Sequence, residues 1–188
     1  RESSDEKDKY FRSKEKTIGF TLSINPDFDS VYDDIKSLFA NNDYVSFLLD
    51  SKDEIREIAT SDYGRNFRVL RQAMTAFEDL FTALDTKFQK QEYYSPIRRV
   101  FKVIYVGFIE TRQRGTDISF FRCCCKGGLK IKYSSQTEAK EEDKKSEFLE
   151  RISKQFGDDG IDIDRVGLSY EIFESLVAHS SINKELLN

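Results

Sequence analysis

The chain has 188 residues, a formal net charge of −4 and 34% charged residues, which suits one domain or one domain with a small appendage. Its most apolar stretch, residues 103–109, is far shorter than the roughly 18 residues that a membrane span needs, and the first ten residues contain no apolar signal-peptide core. The slight acidity argues against a general nucleic-acid-binding protein, which usually carries a strong basic excess.

Two counts shape the remaining expectations. The chain has 16 Phe and 9 Tyr but no Trp, so its core is expected to be built on phenyl rings. Its one methionine, Met74, is internal, and initiator removal does not favour Arg1 as the second residue. We therefore expect the chain to be part of a longer protein, so that a motif it lacks can lie outside it.

The first elements predicted are a strand and a helix. Residues 1–16 are highly charged and predict a solvated lead-in, and residues 17–24 alternate apolar and polar side chains as in a strand. Asn25 and Pro26 predict a helix start, with Asn41 and Asn42 at its end. The expected buried face of this helix consists of Phe28, Val31, Tyr32, Ile35, Leu38 and Phe39.

The next helices have clearer patterns. Residues 44–49 predict a short apolar helix, and Ser51 with Glu54 forms a capping box that starts another, carrying Ile55, Ile58 and Ala59. A break at residues 62–64 precedes the longest amphipathic helix. Its apolar positions follow one another by 3, 3, 1, 3, 3, 1 and 3 residues, which places all of them on one helical face: Phe67, Leu70, Ala73, Met74, Phe77, Leu80, Phe81 and Leu84.

The second half of the chain changes character. Ser95 and Pro96 predict another helix start, and residues 100–109 are apolar nearly all round, so this helix is expected in the middle of the bundle. Residues 118–125 and 129–133 flank a Lys-Gly-Gly turn and predict a β-hairpin. Residues 134–147 predict a linker or a solvated helix start. Two short helices follow, one with Phe148, Ile152 and Phe156 ended by Gly157, and a last one with Val166, Tyr170, Phe173, Leu176 and Val177. The predicted fold is mainly α: a helical bundle with a short N-terminal strand and a small β-hairpin near residues 117–133.

The cysteines and the single histidine give little support for a metal or catalytic site. Adjacent cysteines at positions 123–125 would point to opposite faces of a strand, whereas zinc sites use Cys-x2-Cys pairs or added histidines. Small buried apolar side chains in a reducing cytoplasm are the favoured interpretation, and reversible redox chemistry is the alternative. His179 lies near a helix end, where the helix dipole favours it, and has no partner typical of catalysis. No catalytic or metal-binding residues are predicted.

Two other charged groups invite a functional interpretation. A basic group could contact phosphates, but charge runs are usually solvated faces, and nucleic acid is not an expected partner. Its members are Arg98, Arg99, Lys102, Arg112 and Arg114. Residues 158–164 resemble part of a calcium loop, but their glycine comes too early, which favours a loop followed by an acidic helix cap.

The start of the longest predicted helix is the strongest candidate for a binding site. A helix N-terminus offers free N–H groups and a positive dipole end. Arg68 in the first turn is unfavourable for the helix itself but can be retained for binding a phosphate. Arg65 lies three residues earlier, so both arginines could converge on one anion. The alternative is an exposed or acid-paired Arg68 without a ligand.

The same segment resembles a known family. Residues 63–73, YGRNFRVLRQA, with Phe77 and Leu80, resemble the G-N-x-R-x-L-x-x-A-L-x-x-F helix of KAP-like and related AAA+/STAND P-loop ATPases, many of them prokaryotic anti-phage defence proteins. Residues 14–21, KEKTIGFT, resemble the segment that links the family's ATPase core to its helical lid. Residues 25–28 fit the x-P-D-x that follows, and residues 148–164 resemble the tail beyond the lid. The chain departs from the pattern at Arg65, where the family usually has glycine.

The resemblance implies a role in nucleotide sensing. In the family, a lid arginine senses the nucleotide γ-phosphate; Arg68 matches that position, Asn66 shapes the helix start, and Arg65 stands beside them. The chain contains no G-x-x-x-x-G-K-[ST] motif, so the resemblance places the ATP and Mg site in a core upstream of Arg1. The fragment alone is then not catalytic, although its parent protein is expected to be an ATPase. Expected partners are that upstream core, further copies of the chain and an effector protein, with no membrane.

Under this interpretation the chain divides into three parts. Residues 1–24 are the linker and strand from the ATPase core, residues 25–115 the helical lid bundle, and residues 116–188 the hairpin with a C-terminal helical appendage. The alternative from a different class is a free-standing helical protein–protein interaction module with no nucleotide role. A third hypothesis, a nucleic-acid-binding helical domain, predicts salt-sensitive retention of DNA or RNA.

Overall fold

Seven α-helices form a bundle in the computed structural model, which describes residues 27–124, 136–156, 163 and 166–182. The mainly α fold is confirmed. The helices are α1 Phe28–Lys36, α2 Asn42–Asp50, α3 Lys52–Thr60, α4 Phe67–Ala83, α5 Tyr94–Phe108, α6 Gln136–Phe156 and α7 Tyr170–His179. Short 3₁₀ turns at Thr86–Gln89, Gln91–Tyr93 and Ile118–Cys124 connect them, and a π-helical segment at Ile109–Gln113 continues α5.

The first two helices begin at other residues than predicted. Asp27, not Asn25, caps α1: its carboxylate accepts the backbone N–H of Ser30 at 3.1 Å. Asn41 does not end that helix but begins α2, since its side-chain oxygen accepts the N–H groups of Asp43 and Tyr44. Asparagine is favoured both in turns and at helix N-caps, so its identity alone does not distinguish a helix end from a helix start.

Two further predicted caps do not form as expected. Ser51 precedes α3, but its hydroxyl makes no cap bond and is buried without a hydrogen-bond partner in the described part of the chain. The helix predicted to start at Ser95 and Pro96 starts at Tyr94, which places both residues inside its first turn. Proline fits there because the first N–H groups of a helix have no acceptor within the helix.

Aromatic rings fill the centre of the bundle, as the composition predicts. The ring of Phe47 on α2 lies 5.4 Å from that of Phe81 and 5.7 Å from that of Phe77, both on α4. On its other side it meets Tyr94 edge-on at 5.4 Å. The apolar face predicted for α4 is confirmed, with buried side chains at Leu70, Ala73, Met74, Phe77, Leu80 and Phe81.

The prediction that residues 100–109 run through the middle of the bundle is confirmed for the buried stretch 103–109 of α5 and its π continuation. Gly107 allows α7 to pack closely on this helix. A Cβ atom at this position would lie 2.7 Å from the ring of Phe173 and 2.8 Å from the side chain of Val177. The predicted buried face of α7 is also confirmed, at Tyr170, Phe173, Leu176 and Val177, whereas Val166 precedes the helix.

The prediction of a β-strand as the first arm of the hairpin is wrong, because residues 118–124 form a 3₁₀ helix. The ring of Phe121 lies 4.9 Å from those of both Phe148 and Phe173, and this burial outweighs the β propensity of the segment. The second arm, residues 129–133, and the predicted strand at 17–24 lie outside the described residues. Helix α6 is longer than predicted and begins within the charged segment 134–147.

The two halves of the chain share one core. The buried side chains of α1 to α5 form a continuous cluster with Phe121, Phe148, Ile152 and the buried face of α7. Helix α7 packs on both α4 and α5. In the portion that the structure describes, no helix combines the length and apolarity needed to cross a bilayer.

Candidate functional site at the start of α4

The predicted site residues lie in a turn that we call the arginine turn, residues 63–68. Its backbone folds back on the end of α3, and a Cβ atom on Gly64 would collide with the carbonyl oxygen of Ile58, so only glycine fits there. The Gly64 carbonyl accepts the N–H of Asn66 at 2.6 Å and the hydroxyl of Tyr105 at 3.3 Å. The turn is therefore held by α3 on one side and by the buried α5 on the other.

Asn66 is the N-cap of α4. Its side-chain oxygen accepts the backbone N–H of Arg68 at 3.1 Å and that of Val69 at 3.3 Å. These bonds satisfy two of the N–H groups that a helix start leaves without a partner. Asn66 therefore shapes the start of α4 and orients the first turn, rather than pointing its amide oxygen outwards.

Arg65 and Arg68 both have exposed side chains. Arg68 is the second residue of α4, in a first turn that contains no acidic residue. Positive charge in this turn opposes the helix dipole, which costs a few tenths of a kcal/mol to about 1 kcal/mol. The first turn of α4 thus presents an arginine to solvent at a place where the helix itself would be more stable with an acidic residue.

Replacement of Asn66 by alanine is expected to lower the free energy of unfolding by about 1 kcal/mol, the typical contribution of an N-cap. Chemical denaturation followed by circular dichroism measures this loss. Asn66→Asp is the matched control, because a carboxylate also accepts the two N–H groups and suits the positive end of the dipole. Equal losses in both variants would show that the cap bonds do not carry the effect.

A buried carboxylate lies behind the arginine turn. Glu110 belongs to the π-helical segment that continues α5, and its side chain is fully buried at 0% exposure. The hydroxyl of Tyr63 donates to its Oε1 at 2.9 Å, which ties the arginine turn directly to this carboxylate. Sequence reasoning missed Glu110, although the signal was present: it is the acid that ends the run of all-round apolar residues in α5.

Two further segments bind the same carboxylate. Arg151 on α6 donates to Oε1 from Nε at 3.1 Å and to Oε2 from Nη2 at 2.7 Å, and the hydroxyl of Thr116 donates to Oε2 at 2.6 Å. Arg114 Nε lies 3.7 Å from Oε1, with its guanidinium 4.8 Å above the ring of Tyr63. We call Tyr63, Glu110, Arg114, Thr116 and Arg151 the Glu110 cluster.

The cluster keeps Glu110 charged despite its burial. Burial by itself raises the pKa of a carboxyl group, but the hydrogen bonds from Arg151, Thr116 and Tyr63 outweigh it and hold the pKa of Glu110 below its ordinary 4.5. The phenol of Tyr63 is affected in the opposite direction: burial and the neighbouring negative charge raise its pKa, so it stays protonated and remains a donor.

Most described members of the predicted basic group have structural partners. Arg98 pairs with Glu54 at 3.1 Å and with Asp50 at 3.4 Å. Arg112 donates to the carbonyl oxygens of Val177 at 3.3 Å and Ala178 at 2.8 Å, near the end of α7, where a cation suits the dipole. Arg114 belongs to the Glu110 cluster. These contacts favour intramolecular roles for the three arginines over phosphate binding.

The remaining predicted features provide no second site. His179 is the exposed last residue of α7, and the side chain of Cys124 is half-buried. Within the described ranges, no group of three or more His, Cys, Asp or Glu side chains is arranged to hold a metal ion. Cys125 and most of the calcium-like segment 158–164 lie outside those ranges.

Comparisons of this chain with protein-family models, with curated proteins and with solved structures gave no match. The basis for a functional proposal is therefore the arginine turn and the Glu110 cluster behind it. The turn offers an exposed cation at a helix start, and the cluster holds that turn against α5 and α6.

Proposed function

We propose that the chain is the helical lid region of a KAP-like, AAA+-type P-loop ATPase, in which Arg68 senses bound nucleotide. One observation carries the proposal: Arg68 stands exposed in the first turn of α4, oriented by the Asn66 cap and without an acidic residue in that turn. The resemblance of residues 63–73 to the lid helix of that family is consistent with this placement.

The donor chemistry of the turn fits a phosphate. A guanidinium stays charged and presents a planar fork that matches two phosphate oxygens. A helix N-terminus also favours a bound anion, which would remove the dipole penalty that Arg68 causes in the free helix. ATP and Mg would be held by the upstream core, and the nucleotide would supply the anionic phosphoryl group. Arg68 would donate hydrogen bonds to it, and Arg65 would add positive charge beside it.

The setting of this lid follows from the same resemblance. We propose a cytoplasmic ATPase of prokaryotic antiviral defence, which assembles as a homo-oligomer and acts on an effector protein. The lid would swing when Arg68 loses its phosphate partner after hydrolysis.

The test is Arg68→Ala in the full-length parent protein. Loss of a charge-assisted hydrogen bond of about 1.5–3 kcal/mol is expected to reduce ATP turnover or nucleotide affinity by about 10- to 150-fold. Arg99→Ala is the matched control, because Arg99 is also an exposed helical arginine but lies on α5, outside the arginine turn. Unchanged turnover and affinity in Arg68→Ala would refute the sensor role.

The second candidate is a free-standing interaction module, and exposed apolar side chains favour it. Leu38 after α1 is 56% exposed and Leu49 on α2 is 52% exposed, although both are large hydrophobic residues. The reading frame upstream of Arg1 separates the two candidates. A Walker A motif there supports the lid, and a start codon immediately before Arg1 supports the interaction module.

A further inference from the structure

The Glu110 cluster joins three segments that are far apart in the sequence. Tyr63 belongs to the arginine turn, Thr116 follows the π-helical segment, and Arg151 lies on α6. All three donate to one carboxylate that has no access to solvent. Because a single acceptor holds all of them, movement of one donor changes the hydrogen bonding of the others.

The contact with α6 contributes the strongest of these bonds. Arg151 is the donor with two charge-assisted bonds to Glu110, and its own side chain is about one-third exposed. If α6 moves away, Arg151 can be solvated, whereas the carboxylate stays behind in a site of low dielectric constant. The uncompensated charge then requires another cation, and the energy of the cluster depends strongly on whether α6 is docked.

Arg114 is the described cation placed to replace Arg151. Its Nε is already 3.7 Å from the carboxylate, and its guanidinium covers the ring of Tyr63 at 4.8 Å. Movement of Arg114 into the place that Arg151 leaves at Oε1 takes its guanidinium off the ring of Tyr63 and changes the contacts of that residue. A shift of Tyr63 would be passed directly to the arginine turn, because Tyr63 immediately precedes Gly64, whose carbonyl accepts the N–H of Asn66.

The π-helical segment determines where the Glu110 carboxylate lies. The segment holds one residue more than an α-helical turn, which turns Glu110 inwards. After it, the backbone N–H of Arg114 donates to the carbonyl of Ile109, and the N–H of Thr116 donates to the carbonyl of Glu110. Such segments are rare and are frequently found at functional sites. Here it places a carboxylate between α6 and the start of α4.

We infer that Glu110 is a positioning residue that couples the docking of α6 to the arginine turn, so that α6 controls how Arg65 and Arg68 are presented. The coupling itself follows from the contacts of the Glu110 cluster. Its use as regulation of nucleotide sensing rests on the proposed function.

Hydrogen exchange in the full chain without nucleotide tests the coupling. Arg151→Gln is expected to speed amide exchange in α6 at residues 148–156. It should also speed exchange about tenfold at residues 64–69, in the range typical of coupling between two sites. The informative amides are those of Asn66, Arg68 and Val69, whose acceptors lie within the arginine turn. Residues 44–50 of α2 are the internal reference for global opening.

Arg112→Gln is the matched control. It also removes an arginine that links the π-helical segment to another helix, but its acceptors are the carbonyls of Val177 and Ala178, not Glu110. Faster exchange confined to residues 176–181 is expected, with residues 64–69 unchanged. An equal effect of both substitutions on residues 64–69 would overturn the inference.

The reciprocal variant keeps the inference testable if Arg151→Gln does not fold. Tyr63→Phe removes only the hydroxyl and keeps the buried ring, and it should speed exchange in residues 148–156. Unchanged exchange in residues 148–156 of Tyr63→Phe would overturn the coupling. Two results for Arg151→Gln would also overturn it: unchanged exchange in residues 148–156, or faster exchange there with residues 64–69 unaffected. Since no nucleotide is present, these results are independent of whether Arg68→Ala changes ATP turnover.

Discussion

Phe47→Ala is expected to lower the free energy of unfolding by about 3–5 kcal/mol, the range for truncation of a fully buried phenylalanine. The ring of Phe47 is completely buried and contacts rings on α2, α4 and α5. Its aromatic neighbours are Tyr44, Phe77, Phe81, Tyr94 and Phe101. Truncation opens a cavity that rigid rings cannot refill, so both transfer free energy and packing are lost.

Chemical denaturation with two spectroscopic probes measures this loss and checks two-state behaviour. Leu49→Ala is the matched control on the same helix. Its side chain is 52% exposed, so a change within about 0.5 kcal/mol is expected. If Phe47→Ala lowers the free energy of unfolding no more than Leu49→Ala does, the central position of the Phe47 ring in the core is contradicted.

Arg151→Met is expected to cost about 3–5 kcal/mol near pH 7, because it removes the cation that makes two direct hydrogen bonds to a fully buried carboxylate and leaves only the more distant Arg114, at 3.7 Å. Methionine keeps much of the side-chain length, so the loss reports mainly on charge and hydrogen bonding. The double variant Glu110→Gln with Arg151→Met should be less destabilised than Arg151→Met alone, since it buries no unpaired charge. An equal or greater loss in the double variant would show that charge is not the cause.

The loss of unfolding free energy caused by Arg151→Met should depend on pH in a defined direction. In the natural chain the pKa of Glu110 is lowered in the folded state, so its stabilisation is complete above the ordinary pKa of 4.5 and is lost as pH falls through the lowered value. Arg151 is the donor that lowers this pKa most, so its loss is expected to raise the folded-state pKa of Glu110 and to make the charged carboxylate less favourable in the folded state at neutral pH. The difference in unfolding free energy between Arg151→Met and the natural chain should therefore shrink as pH falls from about 7 to about 4. A difference that is constant or grows would contradict this account.

Local patterns predicted the elements whose side chains repeat regularly. The buried faces of α4 and α7 follow from apolar residues at helical spacing, and the central position of α5 follows from its all-round apolar stretch. Asn66 was predictable as the start of α4 because a break and an N-cap residue stand immediately before the periodic segment. Each of these features depends on residues within a few positions of one another.

Features that depend on distant contacts were predicted poorly. Residues 118–124 alternate like a strand, but the burial of Phe121 between Phe148 and Phe173 favours a 3₁₀ helix. Asn41 could equally end one helix or begin the next, and packing of the following apolar residues against α4 decided in favour of α2. In each case the local preference was weaker than the gain from burying an aromatic ring.

For the candidate site, the sequence by itself determined the order Gly64, Arg65, Asn66 and Arg68, and with it an arginine in the first turn of a capped helix. Only the tertiary structure decided what lies behind that turn. Glu110 is 47 residues from Tyr63 and 41 from Arg151, and no helical or strand periodicity relates them. Their meeting requires the packed bundle, because a buried carboxylate is stable only where the fold brings enough donors to it.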